Sequence, residues 1–149
     1  MKYTLEEPSA HDIPVIVDMY HKLLEVAYPD REIASYLTLY KIVLSWFNED
    51  DRLRLVLADK NVAGFSLVRF NNAGGATEMI LDADITYLYE EFRKTRAAYI
   101  MYTDIVDYAT RCDLILMSTS TPESSPIVEK RWGARVTFNH LETTSTRTK

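Results

Sequence analysis

A short apolar run with a period of two, Leu53, Leu55 and Leu57, and a second strand read over 62–70 are separated only by a turn at Asp59-Lys60-Asn61. A period of two places one set of side chains on one face of an extended chain, and so short a turn joins only antiparallel neighbours. Arg52 and Arg54 take the alternate positions, and Val56 breaks the pattern. The middle of the chain is therefore expected to be a β-hairpin with an apolar face that the remaining segments must cover.

The segments before it have helical period. Ile13, Ile16, Val17, Tyr20, Leu23 and Leu24 recur every three or four residues, with Asp18, His21, Lys22 and Glu25 mostly on the other side. Ser9 and Asp12 form an S-x-x-D capping signature, and Pro14 falls in the first turn, where a missing N–H does no harm. A second amphipathic helix is read over 31–47 from Ile33, Tyr36, Leu37, Tyr40, Val43, Leu44 and Phe47, and a possible short strand at 2–6 precedes both.

After the hairpin, 71–75 is a loop of Asn, Ala and Gly. Residues 76–89 read as a strand with a bulge or interruption near Asp82 and Asp84. Residues 96–111 read as a helix, and 113–119 as a strand buried on both faces. A Ser/Thr/Pro loop, a short helix at 127–132 with Gly133 as its C-cap, and a last strand at 134–141 complete the order. The class is mixed α/β, with a mainly antiparallel twisted sheet flanked by helices. The two strands flanking the 96–111 helix are expected to lie parallel and to splay, since a helical crossover joins them.

At 149 residues and 47% hydrophobic composition, the chain is expected to form one domain over 1–142, followed by a polar tail over 143–149. Its net charge of −5 argues against a general nucleic-acid binder. A single cysteine, Cys112, suits a reducing compartment, and neither a secretion signal nor a membrane span is legible, so the expected location is the cytoplasm. His11, His21 and His140 lack metal-ligand spacing, and no metal is expected.

The order of elements, the segment Asp12-Ile13-Pro14-Val15-Ile16-Val17, the strand Val62-Ala63-Gly64-Phe65-Ser66-Leu67-Val68 and above all Ile127-Val128-Glu129-Lys130-Arg131-Trp132-Gly133-Ala134 resemble the GNAT superfamily of N-acetyltransferases. The resemblance implies an acyl-CoA loop, R/Q-x-x-G-x-G/A in that family, at Arg93, Lys94, Thr95, Arg96, Ala97 and Ala98. Arg93 and Ala98 match, while Arg96 stands at a glycine position. Such a loop offers backbone N–H groups and a helix N-terminus to a pyrophosphate. The cofactor implied is acetyl-CoA and the second substrate an amine. A base is expected among Glu78, Asp82 and Asp84. The family's frequent tyrosine acid falls at Glu129 and its frequent asparagine at Pro122, so Tyr87 or Tyr89 is the candidate to replace the acid.

Only 142–149 remain for the family's seventh strand, which is then absent or supplied by another chain. An edge left open in this way invites self-association or a protein partner. Two functions fit the resemblance. One is an acetyl-CoA-dependent N-acetyltransferase. The other is a GNAT-shaped module without catalysis, of the kind found among phage virion and host-takeover proteins, for which the location would be a virion.

Overall fold

Asp59 and Lys60 alone connect the central strands, at φ of 48° and 73°. Successive left-handed residues match the twist of a tight hairpin, although neither residue is glycine. Asp59 is tied in place by Lys2: the Lys2 N–H donates to Asp59 Oδ1 at 2.8 Å, and the Asp59 N–H donates to the Lys2 carbonyl at 2.8 Å. The computed structural model describes residues 1–72, 79–114 and 116–118, and the elements are β1 (Tyr3–Glu6), α1 (Ile13–Ala27), α2 (Tyr36–Ser45), β2 (Arg52–Ala58), β3 (Asn61–Asn72), β4 (Met79–Leu88), α3 (Arg96–Cys112) and β5 (Leu116–Ser118).

These strands form one sheet in the order β1-β2-β3-β4-β5, with each successive pair from β1 to β4 antiparallel. The chain divides into two compact units, 1–117 and 118–149. The expected helix at 127–132, the last strand at 134–141, the boundary at 142 and the partner-seeking edge lie outside the described residues.

Each face of the sheet has its own core. Leu53, Leu55, Leu57, Phe65, Leu67 and Tyr87 pack with Ile13, Ile16, Val17 and Met19 of α1 and Leu39 and Val43 of α2. Trp46 joins them, its ring stacked 6.1 Å from Phe65 and edge-on to Tyr20 at 5.1 Å. On the other face Val56, Ala58, Ala63, Val68, Leu81, Ala83 and Leu88 meet Ala97, Met101, Ile105 and Ala109. That four-residue recurrence in α3 is the apolar stripe of a helix lying on a sheet.

Two bulges adjust which residues face which core. In β3, Val56 pairs with Gly64 and Leu57 with Val62, which leaves Ala63 as the extra residue. In β4, Leu67 pairs with Ile85 and Val68 with Ala83, which leaves Asp84 extra. The bulge read near Asp82 and Asp84 is thus present, within a strand that continues through it.

The second helix and the last described strand start later than in the sequence reading: β5 is Leu116–Ser118 rather than a strand from Asp113, because α3 runs to Cys112 and Asp113 is left-handed at φ 55°. The second helix begins at Tyr36 rather than Arg31, because Ser35 is extended (φ −60°, ψ 160°) and its hydroxyl accepts from the Thr38 N–H at 3.3 Å. The Ser9 and Asp12 capping signature forms as read: the Asp12 carboxylate accepts from the Ser9 N–H at 2.8 Å in a 3-10 turn that leads into the helix, with Pro14 in the first turn as expected.

Gly64 is the position where the backbones come closest. A Cβ there would run into the Tyr87 carbonyl oxygen and the Leu88 side chain. Gly64→Ala is expected to destabilise by about 2 kcal/mol in urea melts, because the main clash is with backbone that has no rotamer to escape into. Lys60→Gly is expected to stabilise by about 0.5–1 kcal/mol, since glycine removes the left-handed strain at the turn.

Candidate functional site

The end of β4 and the start of α3 are joined by a tight, self-bonded connection. The Tyr89 N–H donates to the Ala63 carbonyl at 2.9 Å and extends the strand pairing by one residue. A 3-10 turn follows, in which the Phe92 N–H donates to the Tyr89 carbonyl at 2.8 Å. Thr95 then caps α3: its hydroxyl donates to the Phe92 carbonyl at 2.7 Å and accepts from the Ala97 N–H at 3.2 Å.

The six residues expected at the acyl-CoA loop therefore have distinct places. Thr95 and Ala97 bond to one another, and Ala97 is fully buried against the sheet. The Ala98 N–H donates to the Thr95 carbonyl at 3.2 Å. Arg93, Lys94 and Arg96 are exposed around this helix start. The Arg96 guanidinium lies 5.7 Å from the Tyr99 ring centroid. Arg93 turns back to the strand, where its Nε donates to the Leu88 carbonyl at 2.9 Å and its guanidinium sits 5.4 Å from the Tyr87 ring. A helix N-terminus surrounded by cations favours an anion.

Beside this junction opens a shallow cleft of about 710 Å³, lined by Lys22, Glu25 and Val26 of α1 and by Tyr87, Tyr89, Glu90, Glu91 and Arg93. Tyr87 and Tyr89 meet edge to face at 5.8 Å. The Tyr89 hydroxyl donates to Asp18 Oδ2 at 2.9 Å. Burial, then the hydrogen bond to Asp18 and its charge, push the Tyr89 phenol well above its ordinary value, so it stays protonated across the neutral range. Tyr89 is thus a proton-bearing group in the cleft.

Further along the same face of β4 lies a second polar group. Asp84 pairs with Arg69 at 3.3 Å, and Arg69 also reaches Asp51 at 3.2 Å. Asp82 stands across the strand pair from Arg69 and is half-buried, and burial followed by the charge of Asp84 raises its carboxyl above the ordinary value. The Tyr20 phenol, facing this group from α1, is raised by burial and then by Asp84.

Glu78 and Glu129 lie outside the described residues. Asp18, Lys22 and Glu25 carry no functional motif in the sequence, where they read as the solvent side of α1. The i,i+4 spacing of Asp18 and Lys22 was the only available signal, and it is common on exposed helices. Among the described residues no group of His, Cys, Asp and Glu is placed to hold a metal ion. No helix among them is long and apolar enough to cross a membrane.

No family model and no curated protein matches the chain. Solved structures do. A predicted acetyltransferase from Clostridium acetobutylicum, determined with acetyl-CoA, superposes with a TM-score of 0.72 over 95% of this chain and 98% of its own, at 15% identity. A GNAT family acetyltransferase from Staphylococcus aureus gives 0.60 over 84% of this chain and 91% of its own, at 13% identity. The chain has the GNAT fold. An aminoglycoside 6′-N-acetyltransferase from Acinetobacter haemolyticus gives 0.69 over 91% of this chain and 93% of its own, at 10% identity. Arg93 to Ala98 do stand at the junction of the fourth strand and third helix of this GNAT fold, where the resemblance located the acyl-CoA loop.

The Tyr89 phenol has a testable consequence for stability. Its folded value is raised above the unfolded value of about 10, so the stability it contributes is complete below that pH and is lost as pH rises through and beyond it. Urea midpoints measured from pH 9 to about pH 11 should fall more steeply for the wild type than for Tyr89→Phe. Parallel curves would place the hydroxyl in water.

Proposed function

We propose that the chain is an acetyl-CoA-dependent N-acetyltransferase that acts on an amine. The observation that carries this reading is the near end-to-end superposition on an acetyltransferase determined with acetyl-CoA, together with a cation-ringed helix N-terminus at the β4–α3 junction. The residues present fit a pyrophosphate. Arg96 replaces a small residue with a charged one but points to the exposed side, and Lys94 is exposed beside it. Arg93, Lys94 and Arg96 would hold the phosphates by charge-assisted bonds at the positive end of the α3 dipole. Acetyl-CoA, when bound, supplies an activated acyl thioester.

The chain's own groups divide the remaining work. The cleft between α1 and the end of β4 admits the amine, with Tyr87 and Tyr89 as aromatic walls. Asp82, whose carboxyl is raised, retains a proton more readily than an ordinary aspartate and is suited to take one from an ammonium group; Glu78 is the other candidate base. Tyr89, protonated throughout the neutral range, is the candidate donor, with Glu129 as the alternative.

A second reading is favoured by a specific observation. Tyr89 and Arg93 are both engaged within the protein, to Asp18 and to the Leu88 carbonyl. A GNAT-shaped interaction module without catalysis would leave them so, whether in a cytoplasm or a virion. Transfer through an engaged Tyr89 must first break or share its bond to Asp18, which slows the step.

Calorimetry with CoA and free-thiol release from acetyl-CoA, assayed with amines, polyamines, aminoglycosides and peptide N-termini, separate the two readings. Saturable CoA binding that weakens with salt is expected, and that weakens again in Arg96→Ala. Turnover is expected below about 1 per second, the lower end of the ordinary enzyme range. Binding without turnover would favour the interaction module, and failure to bind CoA at all would overturn the acetyltransferase.

A further inference from the structure

A second basic centre is built toward the C-terminal end of α3, away from the cleft. Arg52 and Arg54 alternate on β2 with Leu53 and Leu55 of the α1 core, and so share the face that carries Val56 and Ala58 to α3. The Arg52 guanidinium lies 4.3 Å from the Tyr108 ring centroid, and that of Arg111 lies 5.8 Å from the same ring. Arg52 pairs with Asp104 at 2.9 Å in a contact only 16% and 17% exposed, yet its Nε is buried and has no hydrogen-bond partner among the described residues. Arg54 donates to the Leu53 carbonyl at 2.8 Å, and among the described residues it has no ion pair.

Among the described residues this arrangement is electrostatically incomplete. Two guanidiniums at alternate positions of one strand repel, and partial burial removes the water that would screen them. Burial, then the charge of Arg52, lower the hold of Arg54 on its proton by more than Glu7 and Asp104 restore it. With Arg111 at the same ring, the cations outnumber those two carboxylates. Among the described residues, internal pairing accounts for one contact of Arg52 and leaves its buried Nε without a partner and the Arg54 guanidinium without a carboxylate.

We propose that Arg52 and Arg54, with Arg111 at the rim, bind an oxyanion of phosphate size, carried either as free phosphate or as a phosphate monoester. Guanidinium forks donate paired N–H groups to phosphate oxygens, and stacking on Tyr108 holds one fork in a fixed plane. Side chains must supply the attraction, because the C-terminal end of a helix dipole disfavours an anion. Asp104 and Tyr108, which hold Arg52, lie well along α3 from Arg96, and at about 1.5 Å per residue this centre is about 12–18 Å from the β4–α3 junction, so it is separate from the acyl-CoA reading.

The test is a titration of the wild-type protein with inorganic phosphate, at ionic strength fixed with chloride, read by NMR on the arginine Nε–H signals. Saturable shifts of Arg52 and Arg54 are expected, with Arg69, already held by two carboxylates, unmoved. Arg54→Gln should weaken binding by about tenfold. A parallel titration with O-phosphoserine separates the sources: tighter binding than phosphate supports a monoester ligand, and equal or weaker binding supports the free ion. Shifts that do not saturate, or that are confined to Arg93 and Arg96, would overturn the proposal.

Discussion

Asp84 has no partner on β3, and that one unpaired residue reverses the facing of everything after it in β4. Before it, Leu81 and Ala83 point into the α3 core. After it, Ile85 and Tyr87 point into the α1–α2 core, with Tyr89 packed beside them. A strand without the bulge would send Tyr87 and Tyr89 under α3 and leave α1 without a polar counterpart. The Tyr89–Asp18 bond, the aromatic wall of the cleft and the position of Asp82 and Asp84 against Arg69 all depend on it.

Gly64 provides the matching accommodation on β3. It lies opposite Leu88 and allows the end of β4 to approach more closely than any side chain would permit. The Ala63 carbonyl can then receive the Tyr89 N–H, so the last residue of the site is held by backbone pairing as well as by its own side chain. Rigidity at this junction has a consequence for chemistry. Tyr89 and Arg93 are positioned by bonds that also occupy them, and any ligand has to compete with Asp18 and the Leu88 carbonyl for their donors.

Charge is distributed along α3 in a way its net value hides. Arg93, Lys94 and Arg96 surround the N-terminal end, where the dipole already favours anions. Arg52, Arg54 and Arg111 gather near the other end, where Arg111 in the last turn complements the dipole and the two β2 residues have no such reason. A chain of net charge −5 thus carries two compact cationic centres, with Asp18, Glu25, Glu90 and Glu91 concentrated at or beside the cleft.

Local pattern alone determined the order of the described elements, the β2–β3 hairpin at Asp59-Lys60, the apolar stripe of α3 and a bulge or interruption near Asp82 and Asp84, because each follows from side-chain period or turn chemistry within a few residues. The helix start at Tyr36 was less legible: Ile33 fits a helical stripe equally well as half-buried extended chain, and only the Ser35 cap distinguishes the two. The resemblance to GNAT proteins located Arg93 to Ala98 at the β4–α3 junction, but not which of them would cap, bury or remain exposed. Local bonds set Thr95 as the cap and fold Arg93 back on the Leu88 carbonyl, whereas tertiary packing decided that Ala97 is core. It also decided that Asp18, on what reads as the solvent side of α1, meets Tyr89 from a distant strand. No period or motif encodes such a contact, because it depends on the parity of β4 after Asp84 and on the packing of α1 over the sheet, both set by interactions between residues far apart in the chain.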